Sequence, residues 1–195
     1  MGEIFITSDT HFCHIKDFLW KPRGFESVEE MNEEIIERWN STVKEEDDIW
    51  FLGDMALSNV SEAIDYINQL NGRILWIGGN HDTDNKIKTI IFNCKNVHWI
   101  GWATNTKVGK INCYLSHYPT LTTNFDQKHF SQHVINFHGH THQQTNWLQL
   151  DNTFMYHVGM DSHNCTPIHI EDAITDVRNK WDEIKTYKVS WPTGE

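Results

Sequence analysis

Five short segments carry the side chains of this 195-residue chain that could do chemistry. Each segment combines a carboxylate, an amide or an imidazole with a small residue, and four of the five follow a run of apolar or β-branched residues. Polar groups that follow apolar runs are typical of a site built at the carboxyl ends of strands. The segments are residues 8–11, 53–54, 79–82, 116–117 and 139–142.

Seven side chains in these segments have donor atoms suited to a metal ion. Their mixture of imidazole nitrogen with carboxylate and amide oxygen, without thiolate, favours Mn, Fe, Ni or Zn over Ca or a Cys-rich structural zinc site. Seven donors are too many for one ion and fit two ions that share a bridging carboxylate. The seven are Asp9, His11, Asp54, Asn80, His117, His140 and His142.

Strands and helices alternate between the segments in the first half of the chain. Residues 28–43 have apolar side chains at helical spacing, with Ser27 as a candidate N-cap and Glu30 as the capping-box residue. A second helix is predicted over residues 61–70. Alternation of this kind indicates an α/β sheet with its site at the carboxyl ends of the strands. The predicted strands are residues 4–7, 48–52 and 73–77.

The second half is richer in predicted strands. Turn signals indicate two hairpins, and a single helix is predicted over residues 170–184. These patterns alone leave α/β and α+β classes open. The first hairpin pairs residues 97–106 with 110–115, residues 134–137 form a separate strand, and the second hairpin pairs residues 147–150 with 154–158.

The sequence motifs of the five segments, and their order along the chain, resemble those of the calcineurin-like metallophosphoesterases. That family has D-x-H, G-D, G-N-H-D or G-N-H-E, a lone His, and G-H-x-H, and all five patterns occur here in this order between residues 9 and 142. The small, single-domain bacterial and phage members are the most similar, because residues 9–14 match their Asp-Thr-His-Phe-x-His start. Cys13 stands where those members more often have Gly.

The resemblance implies a fold and a metal site. The fold is a four-layer α/β sandwich, in which two mixed β-sheets pack face to face with helices on both outer faces, formed by residues 1–195 as one domain. Asp54 is implied to bridge two divalent ions. Asp9, His11 and His142 are implied to hold the first ion, and Asn80, His117 and His140 the second. In an extended segment, Asp9 and His11 would project to the same side, as would His140 and His142.

Four further residues are candidates for catalysis or substrate binding. The resemblance makes His81 the general acid that protonates the leaving oxygen, and we expect Asp82 to hold its imidazole in orientation. Arg23 is the best-placed arginine for gripping a substrate phosphate, and His14 is a weak candidate for substrate contact.

Charge and hydropathy limit the kinds of partner and the cellular location that we expect for this protein. The formal net charge of −11 weighs against long nucleic acid, which is bound largely through Lys and Arg. No stretch approaches the 18 apolar residues that a transmembrane helix needs, and no signal peptide is evident, so we expect a cytoplasmic protein. The sequence leaves the oligomeric state open.

The predicted function is hydrolysis of small nucleotide phosphodiesters, including cyclic ones, by a hydroxide that bridges two divalent ions, with Mn the first candidate and Fe, Ni or Zn as alternatives. A phosphomonoesterase acting on proteins or small molecules would use the same residues. A DNA-repair nuclease and a non-catalytic scaffold are the remaining alternatives. Nucleases of this kind are longer and carry extra DNA-binding segments, and scaffolds typically lose the general-acid His.

Overall fold

The computed structural model describes residues 2–122, 129–147 and 153–189. The strands in these residues are β1 (Ile4–Thr7), β2 (Asp48–Leu52), β3 (Arg73–Ile77), β4 (Val97–Gly101), β5 (Ala103–Val108), β6 (Ile111–Ser116), β7 (Val134–His138), β8 (Met155–His157) and β9 (Ile168–His169). The helices are α1 (Asp17–Trp20), α2 (Val28–Thr42), α3 (Val60–Ile67), α4 (Asp84–Asn93) and α5 (Ile170–Val189), with 3₁₀ turns at Phe130–Gln132 and Met160–Ser162.

The strands form two mixed sheets. The first has the order β4-β3-β2-β1-β9, in which four strands run parallel and β9 pairs antiparallel with β1. The second has the order β5-β6-β7-β8, with an antiparallel β5–β6 hairpin and parallel pairing from β6 to β8. Parallel neighbours bring their carboxyl ends to one edge, where the polar segments of the sequence follow them.

The two sheets pack against each other through an inner hydrophobic cluster. Ile6, Leu52 and Ile77 of the first sheet lie in the same buried cluster as Leu115 and Phe137 of the second. The apolar face of α5 joins this cluster, whereas α2, α3 and α4 pack in a second cluster with the opposite face of the first sheet. The two mixed sheets and their helices confirm the predicted α/β class.

Several element boundaries differ from those predicted. The predicted strand 97–106 is two strands in different sheets, because the chain turns at Gly101 (φ +145°) and Trp102 to pass from one sheet to the other. The residues between Trp147 and Thr153 in the second predicted hairpin lie outside the described part of the chain, and Trp147 itself forms an antiparallel bridge with Tyr156.

The capping of α2 agrees in part with the predicted capping box. The Ser27 side chain accepts a hydrogen bond from the Glu30 backbone N–H, as predicted. The Glu30 carboxylate accepts from the N–H of Glu26 instead of that of Ser27. Among the described residues, no helix is both long enough and apolar enough to cross a membrane.

Candidate metal centre

The loops that carry the candidate ligands run side by side beyond the ends of their strands. The backbone N–H of Asp9 donates to the carbonyl of Gly53 (2.9 Å), and that of His11 donates to the carbonyl of Asp54 (3.1 Å). In the second sheet, the N–H of Gly139 donates to the carbonyl of His117 (3.0 Å). These bonds extend strand pairing into the loops, so the ligand segments of neighbouring strands are fixed to one another.

One group of donor atoms forms around Asp9. His11 Nε2 lies 3.6 Å from Asp9 Oδ1, and His142 Nε2 lies 3.9 Å from the same oxygen. Donor atoms of these three residues all lie within 4.8 Å of one another, which is close enough for one ion to contact all three. A second group with the same spacing joins Asp9 to Asp54 and His117.

Asp54 lies between the two groups of histidines. Its Oδ2 is 3.6 Å from His11 Nε2 and 3.4 Å from His117 Nε2. The amide oxygen of Asn80 continues the chain of contacts, since it lies 2.9 Å from His117 Nε2 and 2.8 Å from His140 Nδ1. All seven side chains singled out in the sequence are therefore brought together in one cluster.

The left-handed backbone at the ligands differs from the extended conformation predicted for them. Five of the seven have positive φ angles: Asp9 (61°), His11 (51°), Asp54 (58°), His140 (71°) and His142 (49°). This region costs a residue with a side chain on the order of 1–3 kcal/mol and persists where surrounding structure enforces it. The side chains converge because the loops are bent at these five ligands, so the extended conformation predicted for residues 9–11 and 140–142 was wrong.

Two glycines allow the backbone to pass directly against the ligand carboxylates. A Cβ at Gly139 would lie 2.3 Å from Asp9 Oδ2, and one at Gly79 would lie 2.2 Å from Asp54 Oδ1. Neither carboxylate could keep its place beside a larger residue. The requirement for Gly before these ligand segments is therefore steric.

The hydrogen bonds of two histidines select the nitrogen that faces the cluster. His117 Nδ1 lies 2.8 Å from the carbonyl oxygen of Leu52, and His142 Nδ1 lies 2.9 Å from Asp161 Oδ2. Since both partners can only accept, each imidazole donates its Nδ1–H outward and turns Nε2 toward the cluster, where that nitrogen would bind a metal ion once it carries no proton. Metal-binding histidines usually have this arrangement.

The electrostatics of the cluster favour positive charge. Burial alone would lower the pKa of His117, but the carboxylates of Asp54 and Asp9 raise it to about 9. Burial alone would raise the pKa of either carboxyl group, yet the neighbouring histidines hold the pKa of Asp9 and of Asp54 below the ordinary value. Two buried carboxylates with so few cationic partners form a site that a cation would stabilise.

Unpartnered polar atoms show that the donor set fits metal ions. Asp9 Oδ1 and both ring nitrogens of His11 are buried without a hydrogen-bond partner. A buried polar atom without a partner costs free energy, and His11 Nε2 faces Asp9 Oδ1 at 3.6 Å across the cluster. A divalent ion among them would satisfy Asp9 Oδ1 and one His11 nitrogen at once.

His81 lies at the open side of the cluster. Its side chain is 48% exposed, Nε2 is 4.0 Å from Asp54 Oδ2, and its backbone N–H donates to Asp54 Oδ1 (2.8 Å). Asp82 has different partners from those expected. Its buried Oδ2 accepts from the backbone N–H groups of Asp54 (2.7 Å) and Gly79 (2.8 Å), so Asp82 fixes the ligand loops. Its Oδ1 has no hydrogen-bond partner among the described residues, so Asp82 does not orient the His81 imidazole through a hydrogen bond.

The prediction that Arg23 grips substrate phosphate needs correction. Its guanidinium is buried and forms a two-pronged ion pair with Asp161, through Nε (3.0 Å) and Nη2 (2.9 Å). The remaining N–H groups reach the carbonyls of Asp9 and Thr10. These contacts occupy the guanidinium, so Arg23 supports the loop of Asp9 from behind.

His14 is buried beside the cluster. Its ring lies 5.5 Å from that of His11 and edge-on to exposed Phe18 at 5.3 Å. Burial lowers the pKa of His14 to about 4, so it is neutral near pH 7. Its position allows contact with a bound ester only at the edge of the site.

Asp161 is a site residue that the sequence reasoning missed. It joins Arg23 to His142 and thereby connects a buried cation to a candidate ligand. The sequence does carry one signal for it, because residues 157–161 resemble the Asn-Val-Gly-x-Asp pattern of calcineurin-like metallophosphoesterases, with His157 in place of Asn. What the pattern could not give was the contact with Arg23, 138 residues away in the chain.

Comparison with known proteins identifies the domain and its relatives. The sequence model of the Calcineurin-like phosphoesterase superfamily domain matches residues 3–178. An uncharacterized protein of Methanocaldococcus jannaschii is 41% identical over 96 residues, which cover 48% of this chain and 54% of that protein. The match thus spans about half the length of the archaeal relative. The Gene 66 protein of Mycobacterium phage D29 is 26% identical over 198 residues, covering 91% of this chain and 98% of the phage protein.

One solved structure has a similar fold over most of the chain. It is the crystal structure of a protein of unknown function from Aquifex aeolicus, with a TM-score of 0.65 and 18% sequence identity. The similarity covers 90% of this chain and 99% of that one. At this level of identity it shows a shared fold and carries no information on substrate.

Proposed function

Since this chain belongs to the calcineurin-like phosphoesterase superfamily, and is a metal-dependent phosphoesterase, we propose that it hydrolyses small nucleotide phosphodiesters, including cyclic ones, with two divalent ions. Divalent ions follow from the family, and the converging donor atoms fit them. The number of ions, their identity and the substrate are the parts that we propose. Manganese is our first candidate because the donors mix imidazole with hard oxygen atoms.

The position of Asp54 carries the proposal of two ions. One carboxylate oxygen lies about equally far from a histidine of each group, 3.6 Å from His11 and 3.4 Å from His117. A carboxylate between two sets of donors is suited to bridge two ions. The first ion would be held by Asp9, His11, His142 and Asp54, and the second by Asn80, His117, His140 and Asp54.

Residues of the chain would orient the ligands and supply the proton for the leaving group. When bound, two divalent ions neutralise the phosphate and activate water for attack. Ser8 and the backbone N–H of His140 hydrogen-bond Asp9 Oδ2 and hold that carboxylate in place. Because the His81 imidazole is half exposed at the mouth of the cluster, it is positioned to give a proton to the leaving oxygen.

The cationic side chains near the cluster are already bonded to other groups of the protein, which favours a diester over a monoester as substrate. Arg23 is committed to Asp161, and Lys86 donates to the backbone carbonyls of Ala56 and His81. A phosphomonoester brings an additional negative charge that would require a free cationic side chain. A diester carries a single charge, and small size is favoured because a chain with net charge −11 gains little from a long phosphate backbone.

Metal content tests the two-ion proposal. Protein purified without chelator and reconstituted with Mn should approach two ions per chain by elemental analysis. Asp54→Ala should reduce the content of both ions, whereas Asp65→Ala, which removes an exposed acid on α3, should leave it unchanged. Saturation at one ion per chain would overturn the dinuclear assignment.

A substrate panel tests the reaction. We expect the Mn-loaded enzyme to hydrolyse bis(4-nitrophenyl) phosphate and cyclic mononucleotides with higher kcat/KM than 4-nitrophenyl phosphate. Higher kcat/KM on the monoester would establish the phosphatase alternative instead. Efficient digestion of duplex DNA with a steep salt dependence would establish the nuclease alternative.

A further inference from the structure

A cavity lined by two exposed aromatic side chains opens beside the candidate metal centre. Its volume is about 340 Å³, and its walls include Asn80, Thr83, Asp84, Trp102 and Tyr118. Trp102 is 56% exposed and Tyr118 is 52% exposed. Exposed rings are ordinary on a protein surface, but these two line a concave site next to a candidate metal ligand, where they would contact what the site binds.

Trp102 is held in its exposed position by a ladder of tryptophans that starts in the core. Trp76 is fully buried and meets Trp99 edge-on, with 5.5 Å between ring centroids. Trp99 meets Trp102 edge-on in the same way at 5.4 Å. An indole supported by this ladder keeps its orientation without a ligand, which reduces the entropic cost of binding.

The backbone under the cavity is shaped around this indole. A Cβ at Gly78 would lie 2.6 Å from the six-membered ring of Trp102, so the ring rests directly on the Gly78 backbone. Gly78 is two residues before Asn80. The indole is therefore fixed close to the loop that carries a ligand proposed for the second ion.

Tyr118 connects the opposite wall of the cavity to the metal centre. Its ring lies 4.6 Å from that of His140 and 5.4 Å from that of His117. Its carbonyl accepts a hydrogen bond from Ser116 Oγ (2.8 Å), which fixes the turn after β6. A flat group in this cavity would lie next to the histidines proposed to hold the second ion.

The rim of the cavity is polar, so the cavity differs from the apolar grooves that bind other proteins. Asp84 brings a carboxylate to the wall at the start of α4, and the amide of Asn80 lies on the side of the candidate metal centre. A nucleobase has aromatic faces and N–H donors on its edges. Aromatic walls with carboxylate acceptors at the rim match that combination.

We infer that this aromatic cavity, formed by Trp102, Tyr118 and the loop of residues 78–84, binds the base of a nucleotide whose phosphate lies at the metal centre. The inference rests on the proposed function for the position of the phosphate, and adds that the substrate is recognised through its base. Stacking tolerates any base, so the selectivity is for nucleotides over phosphate esters that lack a flat ring.

Calorimetric binding to Mn-loaded protein tests the inference with two probes that share a phosphate and a sugar. We expect adenosine 5′-monophosphate to bind at least about tenfold more tightly than ribose 5-phosphate, as expected for one stacked base. Trp102→Ala should remove most of this preference while ribose 5-phosphate binds as before. Tyr118→Ala should also reduce the preference, measured as the ratio of the two affinities in that variant. Phe92→Ala, which removes an 88% exposed ring on α4, is the matched control and should keep the preference.

Several outcomes would overturn the inference. They are equal affinity for the two probes, an unchanged preference in both variants, and a preference lost in Phe92→Ala but kept in Trp102→Ala. A change of oligomeric state in Trp102→Ala with unchanged nucleotide binding would show instead that the ring is an interface between copies. Trp102→Leu, checked by circular dichroism, replaces the alanine variant if that variant does not fold.

The same experiments distinguish this inference from the proposed function. If the enzyme hydrolyses simple diesters but does not prefer the nucleotide, the cavity assignment fails and the phosphodiesterase proposal stands. If no diester is hydrolysed but the Trp102-dependent preference is found, the phosphodiesterase proposal fails and the cavity assignment stands.

Discussion

The residues of the metal centre depend on partners that lie just outside it. Asp161 accepts from His142 and is itself paired with the buried guanidinium of Arg23. These contacts hold the pKa of Asp161 well below its usual range even though burial alone would raise it, so the carboxylate stays charged. A charged acceptor on Nδ1 makes the His142 imidazole a stronger electron donor at Nε2.

Replacing Asp161 should therefore weaken metal binding. In Asp161→Asn the acceptor becomes neutral and the Arg23 charge loses its partner. We expect Mn affinity to fall by about 10- to 100-fold in competition with a chelating dye, the usual effect of such partners. Asp172→Asn, an exposed acid on α5, should bind Mn like the wild type. Unchanged affinity in Asp161→Asn would show that the Asp161–His142 contact does not support the metal.

The role proposed for His81 can be separated from metal binding. His81→Asn should retain the fold and the Mn content, because its side chain belongs to neither group of donor atoms described above. Turnover of a dinucleotide should fall on the order of 10²- to 10⁴-fold. The loss should be much smaller for bis(4-nitrophenyl) phosphate, since 4-nitrophenolate leaves without a proton. Equal losses on the two substrates would contradict the role as general acid.

At the scale of elements, α4 connects two loops of the candidate site through one lysine. Lys86 Nζ donates to the carbonyl of Ala56, in the loop after β2 (2.6 Å), and to the carbonyl of His81, in the loop after β3. Asp54 and His81 belong to these two loops. The lysine thus fixes the distance between a proposed bridging carboxylate and the proposed proton donor.

Removing this tie should affect proton transfer more than metal binding. Lys86→Met keeps most of the unbranched apolar side chain and removes the two donated bonds. We expect Mn content to be retained and turnover of a dinucleotide to fall by about tenfold, because small misplacements of a catalytic group are costly. Turnover of bis(4-nitrophenyl) phosphate should change less. Lys88→Met, on the exposed face of α4, serves as the control. If the two lysine variants behave alike, the tie has no catalytic consequence.

At the scale of the whole molecule, a buried histidine between the sheets makes the fold sensitive to acid. His157 is fully buried on β8 and bonded to Ser162 Oγ at 2.9 Å. Burial lowers the pKa of His157 to about 4. Between about pH 6.5 and pH 4 the unfolded chain takes up a proton here and the folded chain does not, so the free energy of unfolding decreases as pH falls through this window.

Replacing His157 should reduce this acid sensitivity. His157→Asn retains polar atoms that can reach Ser162 and has no group that titrates. In urea unfolding with chelator present, we expect its loss of unfolding free energy between pH 7 and pH 4.5 to be smaller than that of the wild type by about 2 kcal/mol. His98→Asn, at an exposed position on β4, should match the wild type. Parallel pH curves for wild type and His157→Asn would show that this histidine is not responsible.

Local sequence patterns were sufficient for the elements that carry the first ligands. The predicted strands at residues 4–7, 48–52 and 73–77 match β1, β2 and β3 at both ends. Each is a short apolar run closed by polar or small residues, so its boundaries depend on neighbouring residues in the chain. The strand predicted over 97–106 was wrong because its division at Trp102 depends on which sheet each half joins.

The sequence by itself determined the family and the set of seven candidate ligands, because residue types and their order are local information, and the resemblance to that family supplied the α/β class that the strand and helix patterns had left open. Only the tertiary structure decided how the ligands converge, that Arg23 pairs with Asp161, and that a ladder of tryptophans exposes Trp102 beside Asn80. These features depend on distances between segments remote in the chain and on left-handed backbone enforced by surrounding contacts. Neither is encoded in the spacing of residues along any one segment.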